Sequence, residues 1–261
     1  GISSPVRWIG GKGTNYQWII SHFPEHRVYV EPFGGGASVL LNKPPAKVEI
    51  YNDLDADLVA LFDVLRDPER GRLLQLQLAM TPFHEREFHR AWETDRPEDP
   101  IEYARWVMIR LRMAFGGGGS RGHKPGFAFG SAVNAALAWC NKVDDLVPVI
   151  ERLRRVTIMS RNALDVIKRF DCEEALIYCD PPYVMSTRSG GAAYRHELTD
   201  EDHEQLGELL NNVEGKVALS GYDNPLYRKL YKGWRTDRRE QLLQCSRDKT
   251  QKRVEVLWMN W

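Results

Sequence analysis

The sequence has little cysteine: four residues (Cys140, Cys172, Cys179, Cys245), widely separated and in no C-x-x-C pair. A zinc site, or any metal site, and a disulfide framework are not expected, and a reducing cytoplasmic setting fits better. Neither sign of charge is in excess, with 36 basic and 36 acidic residues. Any nucleic-acid site must therefore be a local patch. No apolar stretch reaches the length of a membrane span. The segment GISSPVRW lacks the charged-then-apolar plan of a secretory signal, and no segment repeats. No Gly-Lys-Ser/Thr follows a glycine-rich turn, and the full G-x-G-x-x-G of dinucleotide binders is missing. What remains is a 261-residue chain, 43% hydrophobic and 28% charged. It has enough apolar content for a packed core and the length of one large domain or a catalytic domain with a smaller insert.

Apolar periodicity predicts alternating strands and helices at both ends of the chain. Arg27 to Glu31 (RVYVE) and Lys47 to Tyr51 (KVEIY) read as strands, with a helix near Ala37 to Leu41 between them and another over Asp55 to Leu65. This βαβ unit predicts a parallel sheet. From Asp67 to about Arg154 the pattern is mostly helical, with Pro97 and Pro100 as breaks and a glycine-rich run, Phe115 to Gly130. Alternation then resumes: strands at Val156 to Ser160, Ala175 to Cys179, Lys216 to Ser220 and Val254 to Met259, and a helix at Glu201 to Leu210. The expected architecture is an α/β domain from residues 1–66 and 155–261, split by a helical insert over 67–154.

Three carboxylates, Glu31, Asp53 and Asp180, follow predicted strands. The carboxyl ends of parallel strands form the ligand crevice of an open sheet, so all three are expected to face one pocket. Glycines in Glu31-Pro-Phe-Gly34-Gly-Gly36 permit close approach of backbone to ligand. Asp53 stands where a Rossmann-type acid binds ribose hydroxyls. Without a phosphate loop, a mononucleoside cofactor fits better than NAD or ATP.

Asp180-Pro181-Pro182-Tyr183 directly follows a hydrophobic strand. Two prolines stiffen the loop and remove N–H donors, leaving the carboxylate and carbonyls as acceptors. That set suits an exocyclic amine, whose ring-delocalised lone pair must be localised before it attacks a methyl donor. The acceptors also favour positive charge developing on nitrogen. Tyr183 supplies a face for stacking a base that must leave the duplex to be reached.

On these motifs the chain resembles the Dam-type, alpha-class DNA adenine-N6 methyltransferases. Arg7-Trp-Ile-Gly-Gly-Lys12 is similar to the family's N-terminal element, and Val30 to Asn42 to its cofactor loop. Asn52-Asp53 is similar to the acid after the second strand, and Asp180 to Tyr183 to its catalytic motif. The resemblance implies a Rossmann-like methyltransferase sheet using S-adenosylmethionine, with the insert as target-recognition domain. It implies that Trp8 and Lys12 line the cofactor pocket or its border with DNA, and that Glu31, Pro32, Phe33, Gly34 and Gly36 hold the methionine end. Asp53 would bind the ribose, Asp180 and Pro181 the N6 amine, and Tyr183 the adenine ring, with Pro182 stiffening the motif. The alternative for Trp8 and Lys12 is an N-terminal strand with one solvated lysine.

In the family the glycine-rich region forms a hairpin that enters DNA, although Gly116 to Gly119 stand here where aromatic and branched residues are usual. Arg110, Arg112 and the run through Lys124 combine basic residues with glycines and no acids; Arg112, Arg121 and Lys124 are the expected DNA contacts there, Arg121 on a guanine or a phosphate. Arg188 and Arg195, in the loop after Tyr183, are expected to close over the flipped base, and Lys252 belongs to a basic cluster near the C-terminus. Double-stranded DNA is the expected partner, with no membrane and no obligate protein partner. The same chemistry serves cytosine N4 or an amine on RNA or protein glutamine. Family relatives acting on cytosine usually carry Ser, and those acting on glutamine Asn, where Asp180 stands. No Pro-Cys pair supports a cytosine-C5 enzyme. An inactive DNA-binding module is opposed by Asp180 and Tyr183.

Overall fold

The computed structural model describes residues 1–8, 10–121, 123–129, 134–182, 197–246 and 249–261. Among them, β1 (Val28–Glu31), β2 (Val48–Asn52), β3 (Val156–Met159), β4 (Ala175–Cys179), β5 (Lys216–Tyr222), β6 (Arg235–Ser246) and β7 (Lys249–Met259) form one sheet. Its order is β3-β2-β1-β4-β5-β7-β6. The first five strands run parallel, while β7 is antiparallel to both β5 and β6. The expected α/β sheet is thus present, with a β6–β7 hairpin at its edge.

All five β4 residues are buried, as suits a parallel strand covered on both faces. Alternation assigns Tyr29, Tyr51, Leu176 and Tyr178 to one core and Val30, Ile50, Ile177 and Cys179 to the other. The second core is closed by α9 (Ala163–Phe170), α10 (Asp200–Leu210) and α11 (Pro225–Leu230).

The first core is larger. It takes in α1 (Tyr16–Ser21), α2 (Ser38–Asn42), α3 (Ala56–Arg66) and the helices between β2 and β3. These are α4 (Pro68–Ala79), α5 (Glu85–Glu93), α6 (Pro100–Arg112), α7 (Ala135–Asp144) and α8 (Leu146–Leu153), with a 3-10 helix over Phe115–Arg121. The stretch 67–154 is therefore mostly helical, and its apolar faces share a core with α3. Asp55, Asp67 and Asp99 cap α3, α4 and α6 through backbone N–H groups of the first turn. Such caps contribute about 1 kcal/mol each. Pro100, expected as a break, instead opens α6, where its missing N–H costs nothing.

A buried ionic cluster joins the helical stretch to the sheet. Arg152 of α8 donates to both oxygens of Glu49 on β2, at 2.6 and 2.8 Å. Lys43 donates to the same carboxylate at 2.7 Å.

Candidate active site

The chain runs from β1 outward through β2 to β3, then returns to lay β4 against the other side of β1. That reversal opens a crevice beyond the carboxyl ends of β1 and β4. A cleft of about 380 Å³ occupies it, lined by Glu31, Asp53 and Asp180 together with Trp8, Lys12, Pro32, Phe33, Gly34, Gly36, Pro181 and Pro182. The structure therefore brings together the three expected carboxylates and every expected cofactor residue. Tyr183, Arg188 and Arg195 lie outside the described residues.

The loop after β1 is shaped by what it packs on. A Cβ at Gly34 would stand 2.1 Å from the Tyr51 ring, so only glycine fits. Tyr51 stacks on Phe62 at 4.7 Å and donates its hydroxyl to the Gly35 carbonyl at 2.8 Å. Gly35 has φ +48 and donates its N–H to Asp53 Oδ2 at 2.8 Å, while Asp53 Oδ1 accepts from the Asp55 N–H at 2.8 Å. Sequence reasoning named Gly34 and Gly36 and missed Gly35, the glycine that orients Asp53. It also missed the crosslinking role of Asn52, whose side chain donates to the Pro32 and Arg161 carbonyls and accepts from the Arg161 N–H. One amide thereby joins the loops after β1, β2 and β3.

Glu31 is buried and accepts from the Tyr29 hydroxyl at 2.9 Å. Burial pushes its carboxyl up to about 8, the Tyr29 hydrogen bond opposes this, and the charge on Asp180 adds to it. Asp180 is pushed up to about 6, mainly by burial, while Lys12 holds it down. Its Oδ1 accepts from Lys12 at 3.0 Å and from the Ser220 hydroxyl at 2.9 Å. The Ser220 proton is committed to Asp180, so the Tyr178 hydroxyl, 2.9 Å away, donates to Ser220. Among the described residues, Asp180 Oδ2 has no hydrogen-bond partner. Lys12 is not a solvated lysine on a strand. It is buried between Asp180 and Glu255, 2.8 Å from the latter, in a segment whose described residues form no strand before α1. Tyr178, Ser220 and Glu255 carried no local sequence signal, being apparent core positions on strands.

The expected DNA contacts are scattered. Arg112 ends α6 half-buried, its guanidinium pushed down to about 10 by burial and by Arg7. With Arg7, Gly116 and Trp8 it lines a second cavity of about 530 Å³, which shares Trp8, Gly11, Gly36 and Ser38 with the first. Lys124 is exposed and ion-paired with Glu93 at 2.8 Å. Arg121 closes the 3-10 helix and Lys252 lies on β7; their side chains are outside the described residues. Arg110, read from sequence with the basic run, is instead stacked between Trp92 and Trp106, at 3.7 and 4.0 Å. The glycine-rich run is pinned at its base: Phe115 donates to the Gly126 carbonyl, and a Cβ at Gly119 would meet the Arg110 carbonyl.

Chemically, the cleft is acidic. Among the described residues, Glu31, Asp53, Asp55, Asp180 and Glu197 line it against one lysine, which is already paired. That wall suits hydroxyls, ammonium and sulfonium groups and disfavours phosphates.

The family model for D12 class N6 adenine-specific DNA methyltransferases matches residues 8–104 and 128–247. The stretch between the two matched segments contains the glycine-rich 3-10 helix. The chain is also 25% identical over 239 residues to a DNA adenine methylase of Vibrio cholerae serotype O1, covering 87% of this chain and 84% of that protein. A DNA adenine methylase of Escherichia coli strain K12 is 24% identical over 234 residues, covering 87% and 83%. One of Salmonella typhi is 25% identical over 236 residues, with the same coverage. The motif-bearing loops of this cleft lie within the matched segments, and the chain belongs to the D12 class N6 adenine-specific DNA methyltransferase family.

Proposed function

We propose that this DNA adenine methyltransferase takes its methyl group from S-adenosylmethionine and acts on an adenine flipped out of duplex DNA. The observation that carries this reading is Asp180: one oxygen is anchored by Lys12 and Ser220, and the other has no protein partner among the described residues, at the lip of an acid-lined cleft. When bound, S-adenosylmethionine supplies a methyl group carried on a sulfonium. The cleft volume falls within the range of ligand pockets, and its carboxylates match the cofactor's cationic and hydroxyl groups. Glu31, with Pro32, Phe33, Gly34 and Gly36, holds the methionine end. Asp53, oriented by Gly35, accepts from ribose hydroxyls, and Trp8 walls the cleft.

Asp180 Oδ2 and the Pro181 carbonyl accept the two N6 hydrogens and aim the nitrogen lone pair. As positive charge moves onto N6, the ionised Asp180 stabilises it. Pro182 stiffens the loop and Tyr183 stacks on the base. The base leaves the duplex because its N6 is otherwise out of reach. Residues 67–154 serve as the target-recognition part, with Arg112, which lines the second cavity, Arg121 and Lys124 contacting DNA, and Arg188, Arg195 and Lys252 adding contacts. Among the described residues no helix is long and apolar enough to cross a membrane. The enzyme works beside the DNA of a bacterial or phage-infected cell, in the cytoplasm. Incubation with methyl-labelled S-adenosylmethionine and unmethylated duplex, followed by digestion to nucleosides, tests this. Label in N6-methyl-2′-deoxyadenosine is expected, and label in N4-methyl-2′-deoxycytidine would overturn it.

A further inference from the structure

Asp180 does not meet Lys12 as a simple pair. Lys12, from the N-terminal segment, stands between Asp180 after β4 and Glu255 on β7, at 3.0 and 2.8 Å. Lys12 and Glu255 are 5% and 2% exposed, so water screens neither. The charges of Lys12, Asp180 and Glu255 sum to minus one. Without Glu255 the sum would be zero, and the ammonium would be drawn wholly onto Asp180, cancelling its field where cationic charge must reside. Glu255 sits 75 residues beyond Asp180 in sequence and is not among the residues lining the cleft.

We infer that Glu255 is a positioning residue which, by sharing the Lys12 ammonium, keeps the reactive end of the cleft net negative and selects the cationic sulfonium cofactor over its neutral demethylated product. This rests on the S-adenosylmethionine reading of the cleft. It also explains why a buried lysine is tolerated so close to the acceptor carboxylate: the lysine fixes Oδ1 without neutralising the site. Among the described residues, the titratable groups acting on Asp180 besides Lys12 and Glu255 are Glu31 at the end of β1 and Tyr178 and Cys179 on β4. All of them stay in place when Glu255 alone is changed.

The test is calorimetric, with S-adenosylmethionine and S-adenosylhomocysteine titrated into wild type, Glu255→Gln and the double variant Lys12→Gln/Glu255→Gln. Glu255→Gln, with a reacting-end charge of zero, should lose the preference for the sulfonium form by on the order of ten-fold. The double variant, which restores minus one, should keep the wild-type preference even where both affinities fall. In single-turnover rate profiles, the acid limb of Glu255→Gln should move to lower pH, because an anion beside Asp180 is gone. A structural role would weaken both ligands alike and leave the limb in place. Unchanged preference in Glu255→Gln, or preference lost in the double variant, overturns the inference. If Glu255→Gln does not fold, Lys12→Gln takes its place: it leaves two anions without their shared cation, so the preference for the sulfonium form should exceed that of wild type, and an unchanged preference overturns the inference. A wild-type protein that binds neither ligand would sink the cofactor reading instead, which keeps the two failures distinct.

Discussion

Cofactor binding should expel a proton from Glu31. In the free protein its carboxyl is pushed up to about 8, so at pH 7 it is about nine-tenths protonated. On the proposed reading the cofactor's ammonium lies at this carboxyl, which favours the ionised form. The bound state therefore holds fewer protons than the free state, and affinity must rise with pH up to about 8 and then level off. Between pH 7 and the region where Asp180 titrates, about 6, the slope is roughly ten-fold per unit. Titration calorimetry at pH 7 in buffers of different ionisation enthalpy reads the release directly, at about 0.9 proton per cofactor. Tyr29→Phe removes a hydroxyl that donates to Glu31 at 2.9 Å. A hydrogen bond to a charged group is worth about 1.5–3 kcal/mol, so the rising limb should move up by about one to two units. The same group makes the free protein less stable as pH rises from the ordinary carboxylate range through 8. There the unfolded chain has released a proton that the folded one keeps. No proton release at pH 7, with affinity flat from pH 6 to 8, would refute the reasoning.

Gly34→Ala drives a methyl into the Tyr51 ring; it should cost about 1–3 kcal/mol in denaturant unfolding and weaken cofactor binding. Arg152→Ala leaves buried Glu49 with the Lys43 ammonium and the Ala46 N–H but without its bidentate partner, and a loss of about 3–5 kcal/mol is expected from the same measurement. Arg121→Ala should weaken DNA binding and leave cofactor affinity unchanged. A phosphate contact would lower the salt slope by about one unit for every sequence, whereas a base contact would relax discrimination at one position. Fluorescence titrations over a salt series separate the two.

The parallel strands were legible because each is an apolar run: β4 matches its predicted span, and β1, β2 and β3 fall within a residue or so. Their carboxyl-end acids followed from position alone, since a parallel sheet has one ligand edge. β6 was missed because an edge strand need not be apolar, and among the described residues RTDRREQLLQCS pairs with β7 on one side. Lys12 carried no sign of burial in its glycine-rich surroundings, because its partners arrive from β4 and β7. Arg110 read as part of a basic run, although its neighbours in space are two tryptophans, one of them on α5. Gly35 looked interchangeable with its neighbours until its N–H was seen on Asp53. Local pattern reports periodicity and loop chemistry; it does not report which distant side chain completes a charge.

The central claim is that Asp180 acts as a hydrogen-bond acceptor for the N6 amine during direct methyl transfer. Single-turnover transfer from S-adenosylmethionine to duplex DNA, comparing wild type with Asp180→Asn, tests it most directly. The asparagine keeps the shape and turns one acceptor into a donor facing the amine. The account predicts a methyl-transfer rate lower by roughly a hundred-fold or more, with fold and DNA affinity far less affected. Transfer by Asp180→Asn at the wild-type rate would contradict it.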